Sequence, residues 1–137
     1  GPFVDNTYKD CLSLVSKFSL EDSVEFTNVL LKKDWHKKSE MSDIFINTTN
    51  FDNTPVSVLE AMALGLPVVS TNVGGMPFLI RNEIDGILVE KNSVDKMSSS
   101  IIDILEGKFP EITLNARNKV EKFDWTFVKN EWFKILT

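Results

Sequence analysis

The chain has 137 residues, of which 42% are apolar and 26% charged, and its formal net charge is −5. That length holds one domain, or the larger part of one, and the composition excludes disordered, collagen-like and low-complexity architectures. An acidic balance argues against nucleic-acid binding, which needs a basic face to release counterions. No apolar run approaches the roughly 18 to 20 residues of a membrane span, and Cys11 is a lone cysteine with no internal disulfide partner. Nothing therefore suggests an oxidising compartment, and the chain reads as soluble and cytoplasmic.

The chain opens on Gly1-Pro2, without an initiator Met or a leader of the signal-peptide kind, so this end need not be a natural start. Tyr8, Cys11, Leu12, Val15 and Phe18 then recur at helical steps and predict a helix of about three turns. Val24–Val29 alternates apolar and polar residues and reads as a strand. Lys32–Glu40 is charged and reads as a short surface helix. Asp43–Asn47 is β-branched and aromatic on consecutive positions, as suits a strand covered on both faces.

Thr54-Pro55 predicts a helix start, with Thr54 as N-cap and Pro55 at the first helical position, and Gly65 ends that helix. Pro67–Thr71 reads as a buried strand, Gly74-Gly75 as a loop, and Met76–Arg81 as a short helix. Asp85-Gly86 turns into a strand at Ile87–Val89. Helical patterns follow at Val94–Glu106, Pro110–Lys122 and Trp125–Leu136. Four strands alternating with helices give an α/β fold with a parallel sheet and flanking helices. In such sheets ligands gather at the carboxyl ends of the strands, against helix N-termini. The site is therefore expected in the loops after Asn28, Thr48 and Thr71.

Glu60 carries the sharpest chemical signal. It lies mid-helix between Val58-Leu59 and Ala61-Met62-Ala63, and no Lys or Arg occurs between Lys38 and Arg81, so no ion pair can form within that helix. A carboxylate there either faces solvent or finds hydrogen-bond donors such as a ligand's hydroxyl groups. Asp52 reads on its residues alone as a turn-former in a polar loop. The helix start offers the N–H groups of Val56 and Ser57 to an anion, as helix starts generally do. His36 is the single histidine and has no companion for a metal site, and no acidic pair suits one.

The run Phe51–Val69 resembles the donor-binding signature of the family 4 retaining glycosyltransferases, which have the two-domain GT-B architecture. The match comprises Asp52 and Glu60 separated by seven residues, Leu59-Glu60-Ala61-Met62-Ala63, Gly65, Pro67-Val68-Val69, Thr71, Gly74-Gly75, Pro77, Asp85-Gly86 and Leu88-Val89. Val24, Phe26 and the Phe123–Trp125 helix start fit as well, so the resemblance covers essentially the whole chain. It implies a Rossmann-like sheet belonging to the C-terminal, nucleotide-sugar-binding domain over residues 1–137, without the acceptor domain and without that domain's first two strands. It also implies that Glu60 accepts hydrogen bonds from ribose hydroxyls and Asp52 from donor-sugar hydroxyls. The N–H groups of Asn53 and Thr54 would help hold the sugar, and those of Val56 and Ser57 the diphosphate. Asn28, Val29 and Leu30 would lie beside the base, and no metal or other cofactor is implied beyond the nucleotide sugar as donor substrate.

Two departures qualify the match. Asp52 stands where the family most often has Glu, which alters the sugar geometry by one methylene. Asn28 stands where Gly is usual, a change Asn tolerates if its φ is positive. The absent strands carry the Arg and Lys that neutralise the leaving diphosphate, so the chain by itself is expected to show little transferase activity. Their absence also leaves Asp43–Asn47 with an open edge, inviting self-association, unless the Val24–Val29 strand moves over to cover it. Gly74-Gly75 looks like a phosphate loop but is expected to shape the interdomain cleft. Trp125, Val128, Trp132 and Phe133 share a helical face that either packs on the chain or forms an exposed patch. The four lysines of Lys32–Lys38 read as a charged helix face, with at most weak contact to a membrane surface. The whole implies transfer of a sugar from a nucleoside-diphosphate sugar to a hydroxyl acceptor in cell-surface polysaccharide synthesis. The alternative is a non-catalytic nucleotide-sugar-binding or regulatory module.

Overall fold

A computed structural model describes residues 6–136, which form two compact units divided between Lys38 and Ser39. The first holds helix α1 (Thr7–Lys17) and most of α2 (Lys32–Ser39). The ring of Tyr8 meets the edge of Phe26 at 5.1 Å between centroids, and Lys38 pairs with Glu25 at 2.6 Å. The expected strand at Val24–Val29 does not form. Asn28 sits at φ 57°, a left-handed turn that ends any extended run, and Val24, Phe26 and Val29 are all exposed. An alternating pattern becomes a strand only where a sheet supplies partners and a covered face.

The second unit contains a parallel sheet of three strands, β1 (Phe45–Asn47), β2 (Val68–Thr71) and β3 (Ile87–Val89), in the order β1-β2-β3. The sheet thus has three strands where the sequence pattern suggested four. Phe45 aligns with Val68, and Val69 with Ile87. All four residues of β2 are buried, as expected of a central strand covered on both faces. β1 differs: Ile46 is 44% exposed, because among the described residues no strand pairs with its outer edge. Of the two outcomes open to Asp43–Asn47, the unpaired edge is the one found.

Helix α3 (Val56–Ala63) packs on β1 and β2, and α5 (Val94–Leu105) on β2 and β3, while α6 (Ile112–Val120) packs on α3. Val69, Ile87, Val89 and Ile112 form a buried cluster against which Met97, Ile101 and Ile104 of α5 pack. The short α4 (Met76–Leu79) joins β2 towards β3, and α7 (Trp125–Leu136) ends the described chain. α7 buries no residue, so Trp125, Trp132 and Phe133 form an exposed aromatic surface.

Two helices end alike. After α3, Gly65 at φ 81° donates to the Met62 carbonyl and Leu66 donates to that of Ala61. After α5, Gly107 at φ 77° donates to Ile104 and Lys108 to Asp103. Each glycine takes the left-handed conformation that closes a Schellman turn. The start of α3 shifts by one residue from expectation: Pro55 (φ −67°, ψ 121°) is the cap residue rather than the first helical one, and Thr54 makes no cap bond. The proline ring fixes φ but not ψ, and Pro55 takes an extended ψ, so the helix begins at Val56.

Asp85 is fully buried, and its carboxylate accepts from the Arg81 N–H at 2.6 Å, from Arg81 Nε at 2.7 Å and from Lys119 Nζ at 3.3 Å. Lys119 also donates to the Leu79 carbonyl. These bonds tie the α4–β3 turn to α6. Asp85→Ala leaves Lys119 without its charge partner and removes a cap from the turn, and should lower unfolding free energy by about 3 kcal/mol in urea titration.

Asp124 stands before α7 and accepts from the Thr126 N–H at 2.8 Å and from the Thr126 hydroxyl at 2.6 Å. These bonds hold its carboxyl below the usual carboxylate range. Its stabilisation is therefore complete above the unfolded-state pKa and is lost as pH falls through the lower, folded value. Asp124→Ala should reduce the helical circular-dichroism signal at neutral pH, and the gap to wild type should close on acidification.

Candidate functional site

The carboxyl ends of the strands carry the loops from which the site is built. The loop after β1 is pinned to β2 by hydroxyl groups. Thr71 Oγ1 donates to the Thr49 carbonyl at 2.5 Å, Asn47 Nδ2 donates to Ser70 Oγ at 3.1 Å, and Thr49 Oγ1 donates to the Phe51 carbonyl at 2.9 Å. Ser70 and Thr71 are buried, so these bonds also satisfy polar groups that would otherwise carry a desolvation cost.

Gly74 and Gly75 provide the seat for the acidic loop. The Gly75 N–H donates to the Asp52 carbonyl at 2.9 Å. A Cβ on Gly74 would lie 2.0 Å from the Asp52 carbonyl oxygen, and one on Gly75 would lie 1.7 Å from that of Asn53. The two main chains touch where no side chain fits. The glycine pair therefore acts on Asp52 and Asn53 directly, a closer role than the shaping of an interdomain cleft expected from sequence.

Asp52 is half-buried on this seat, whereas Asn53, Thr54, Val56 and Ser57 are exposed. Val56 and Ser57 open α3, whose first turn receives no side-chain cap. Their N–H groups belong to the set that a helix cannot satisfy internally, so the N-terminus of α3 presents donors and the positive end of the helix dipole beside Asp52. Glu60 lies one turn further along α3 and is half-buried. It lines an open cleft of about 560 Å³ together with Leu59, Ala63, Arg117, Phe123 and Phe127. Asp52 does not line this cleft, so the two acidic residues share one loop–helix segment and not one cavity. A smaller cleft of about 190 Å³ at the strand ends is lined by Thr48, Asn50, Thr71, Glu90 and Ser93.

Asn28, Val29 and Leu30 belong to the first unit, and Asp52 through Glu60 to the second. Asn28 adopts φ 57°, the left-handed conformation that the Gly-to-Asn departure requires. His36 makes an edge contact with the Trp35 ring at 5.9 Å between centroids. Among the described residues, no three His, Cys, Asp or Glu side chains gather to hold a metal ion, and no helix is long and apolar enough to cross a membrane.

Sequence reasoning missed Arg117. Glu60 has no cation on α3 or among its chain neighbours, whereas α6 delivers one from 57 residues away to the same cleft. It also missed the pinning roles of Ser70 and Thr71, which a buried-strand pattern conceals.

An acidic loop held on a glycine pair thus runs into an uncapped helix that bears a second acid. The family model described as glycosyl transferases group 1 matches residues 5–107, and the chain belongs to that family. It is 28% identical over 109 residues to the UDP-Gal:alpha-D-GlcNAc-diphosphoundecaprenol alpha-1,3-galactosyltransferase of Escherichia coli, covering 76% of this chain and 28% of that protein. The fold matches Anabaena HepE in complex with UDP-glucose with a TM-score of 0.85 at 22% identity, over 98% of this chain and 38% of that one. It matches the C-terminal domain of the group 1 glycosyl transferase LpcC from Francisella tularensis with a TM-score of 0.71 at 20% identity, over 88% of this chain and 63% of that one. The chain thus spans less than a third of that curated relative.

If Gly75 is the seat of the acidic loop, Gly75→Ala should displace Asp52 and Asn53, since the added carbon would overlap the Asn53 carbonyl. The expected loss is about 1–3 kcal/mol of stability. In amide hydrogen exchange the faster exchange should concentrate in residues 50–56, with β3 and α5 unchanged.

Proposed function

We propose that this chain is the donor-binding part of a retaining glycosyltransferase that moves a sugar from a nucleoside-diphosphate sugar to a hydroxyl acceptor. The observation that carries this reading is the seating of the Asp52–Asn53 loop on Gly74-Gly75, immediately before the uncapped start of α3. In this reading Asp52 accepts from sugar hydroxyls, and the Asn53 and Thr54 N–H groups steady the sugar. Val56 and Ser57 donate to the diphosphate, and Glu60 accepts from the ribose. The spacing along α3 supports it: Val56 and Glu60 are four residues apart, about 6 Å of helix rise, which is roughly the step from a phosphate to the ribose hydroxyls.

The chemistry asked of such a site is placement of the donor and stabilisation of the leaving diphosphate. The residues present supply placement. Stabilisation of the leaving group needs cations, and no Lys or Arg lies on α3 or in the loop before it, where the diphosphate would sit. Turnover is therefore assigned to the larger protein rather than to this chain. A place in the assembly of surface polysaccharide is supported by the Escherichia coli relative, whose named acceptor is a sugar on a diphosphoundecaprenol carrier.

Calorimetric titration of the 137-residue chain with nucleoside diphosphates and their sugars tests the assignment. Wild type should bind at least one of them. Glu60→Ala should raise the Kd for the diphosphate and for its sugar by about tenfold or more, the loss of charge-assisted hydrogen bonds. Asp52→Ala should weaken the nucleotide sugar while sparing the nucleoside diphosphate. Equal binding by wild type and Glu60→Ala would reject the site.

A further inference from the structure

We infer that Arg117 is a positioning residue for nucleotide binding, acting through the last turn of α3; this rests on the donor-site reading of Glu60. Glu60 through Ala63 is the last turn of an eight-residue helix, and its four carbonyls have no partners in the helix unless the following segment supplies them. Three are met by backbone: Leu64 donates to Glu60, Leu66 to Ala61 and Gly65 to Met62. The fourth, Ala63, receives Arg117 Nη1 from α6. Arg117 Nε meanwhile donates to Glu121 Oε1 at 2.7 Å, which fixes the plane of the guanidinium.

The geometry is selective for Arg. One head group bridges a carbonyl of α3 and a carboxylate just beyond α6, a fork that a lysine cannot reproduce. The positive charge also lies at the negative end of the α3 dipole, where cations are favoured. The ion pair with Glu121 is solvent-exposed and stabilises little by itself. Its effect is orientation. Arg117, Ala63 and Glu60 line the same cleft, and Leu64 and Gly65 beyond them are exposed. Freeing the Ala63 carbonyl therefore frays the turn that carries Glu60, and a displaced carboxylate misses the hydroxyl pair it is meant to grip.

The test pairs binding with a structural readout. Arg117→Ala should raise the Kd for the bound nucleoside diphosphate by about tenfold, the range for residues acting on a site without touching the ligand. Amide exchange should accelerate at residues 63–66. Arg117→Lys should recover part of the affinity, because an ammonium can reach the Ala63 carbonyl without holding Glu121. Ile101→Ala, which trims the core beside α5 outside the cleft, serves as the stability control and should keep wild-type Kd while lowering the thermal midpoint. Wild-type affinity in folded Arg117→Ala, or an equal loss in Ile101→Ala, would overturn the positioning role alone. Absence of nucleotide binding by the wild-type chain would overturn the donor-site reading and this role with it.

Discussion

The site depends on a contact between two stretches of main chain. Asp52-Asn53 and Gly74-Gly75 lie so close that a methyl group on either glycine would overlap a carbonyl oxygen. Side chains adjust by rotation, but two backbones in contact have no such freedom. The position of Asp52 is therefore set by the turn after β2 as much as by its own loop. Because that turn leaves the most deeply buried strand, the acidic loop inherits the rigidity of the core. Functional loops are commonly mobile, and this one is tied at Thr49 by Thr71, at Asp52 by Gly75 and at its end by α3.

A second constraint governs the far side of α3. The helix is short, so its two ends dominate its chemistry: the N-terminal N–H groups have no side-chain cap and the last turn carries Glu60. Short helices draw their stability from packing and end contacts rather than from intrinsic propensity. α6 supplies both, through buried Ile112, Ala116 and Val120 and through Arg117. The same helix carries Lys119, which meets Asp85 in the turn before β3. α6 thus coordinates the two loop systems that follow the sheet, although it contributes no residue that would touch a nucleotide in the reading given above.

Much of this was legible in the sequence. Gly65 and Gly107 announce helix ends, and the continuous apolar run at Val68-Val69 announces a central strand, while the Asp52–Glu60 spacing points to the candidate site. What was not legible depends on partners distant in the chain. Val24–Val29 alternates like a strand, yet a period-two pattern describes only the chain's own preference and not whether a neighbour lies alongside. The single positive φ at Asn28 decided against it. Thr54 has the chemistry of an N-cap, but Pro55 moved the helix start by one residue. Asp85 read as a turn residue because its charge partners, Arg81 four residues back and Lys119 on α6, are brought together only by the fold.

The charge arrangement finally bears on what the second unit can hold. Asp52 and Glu60 are acidic, and three cations of this unit have partners of their own: Arg81 and Lys119 on Asp85, and Arg117 on Ala63 and Glu121. A diphosphate at the start of α3 would gain about 0.3–1 kcal/mol from the helix terminus. It would meet repulsion of similar size from a carboxylate several ångströms away, since like charges about 4 Å apart in water interact by roughly 1 kcal/mol. The phosphates therefore add little net attraction within this unit. In the proposed site, affinity comes chiefly from hydroxyl groups, which a carboxylate grips without a charge penalty, and a diphosphate becomes a strong anchor only beside cations. In the proposed site, the gripping of hydroxyl groups by Asp52 and Glu60 is thus a separate task from the neutralising of a diphosphate.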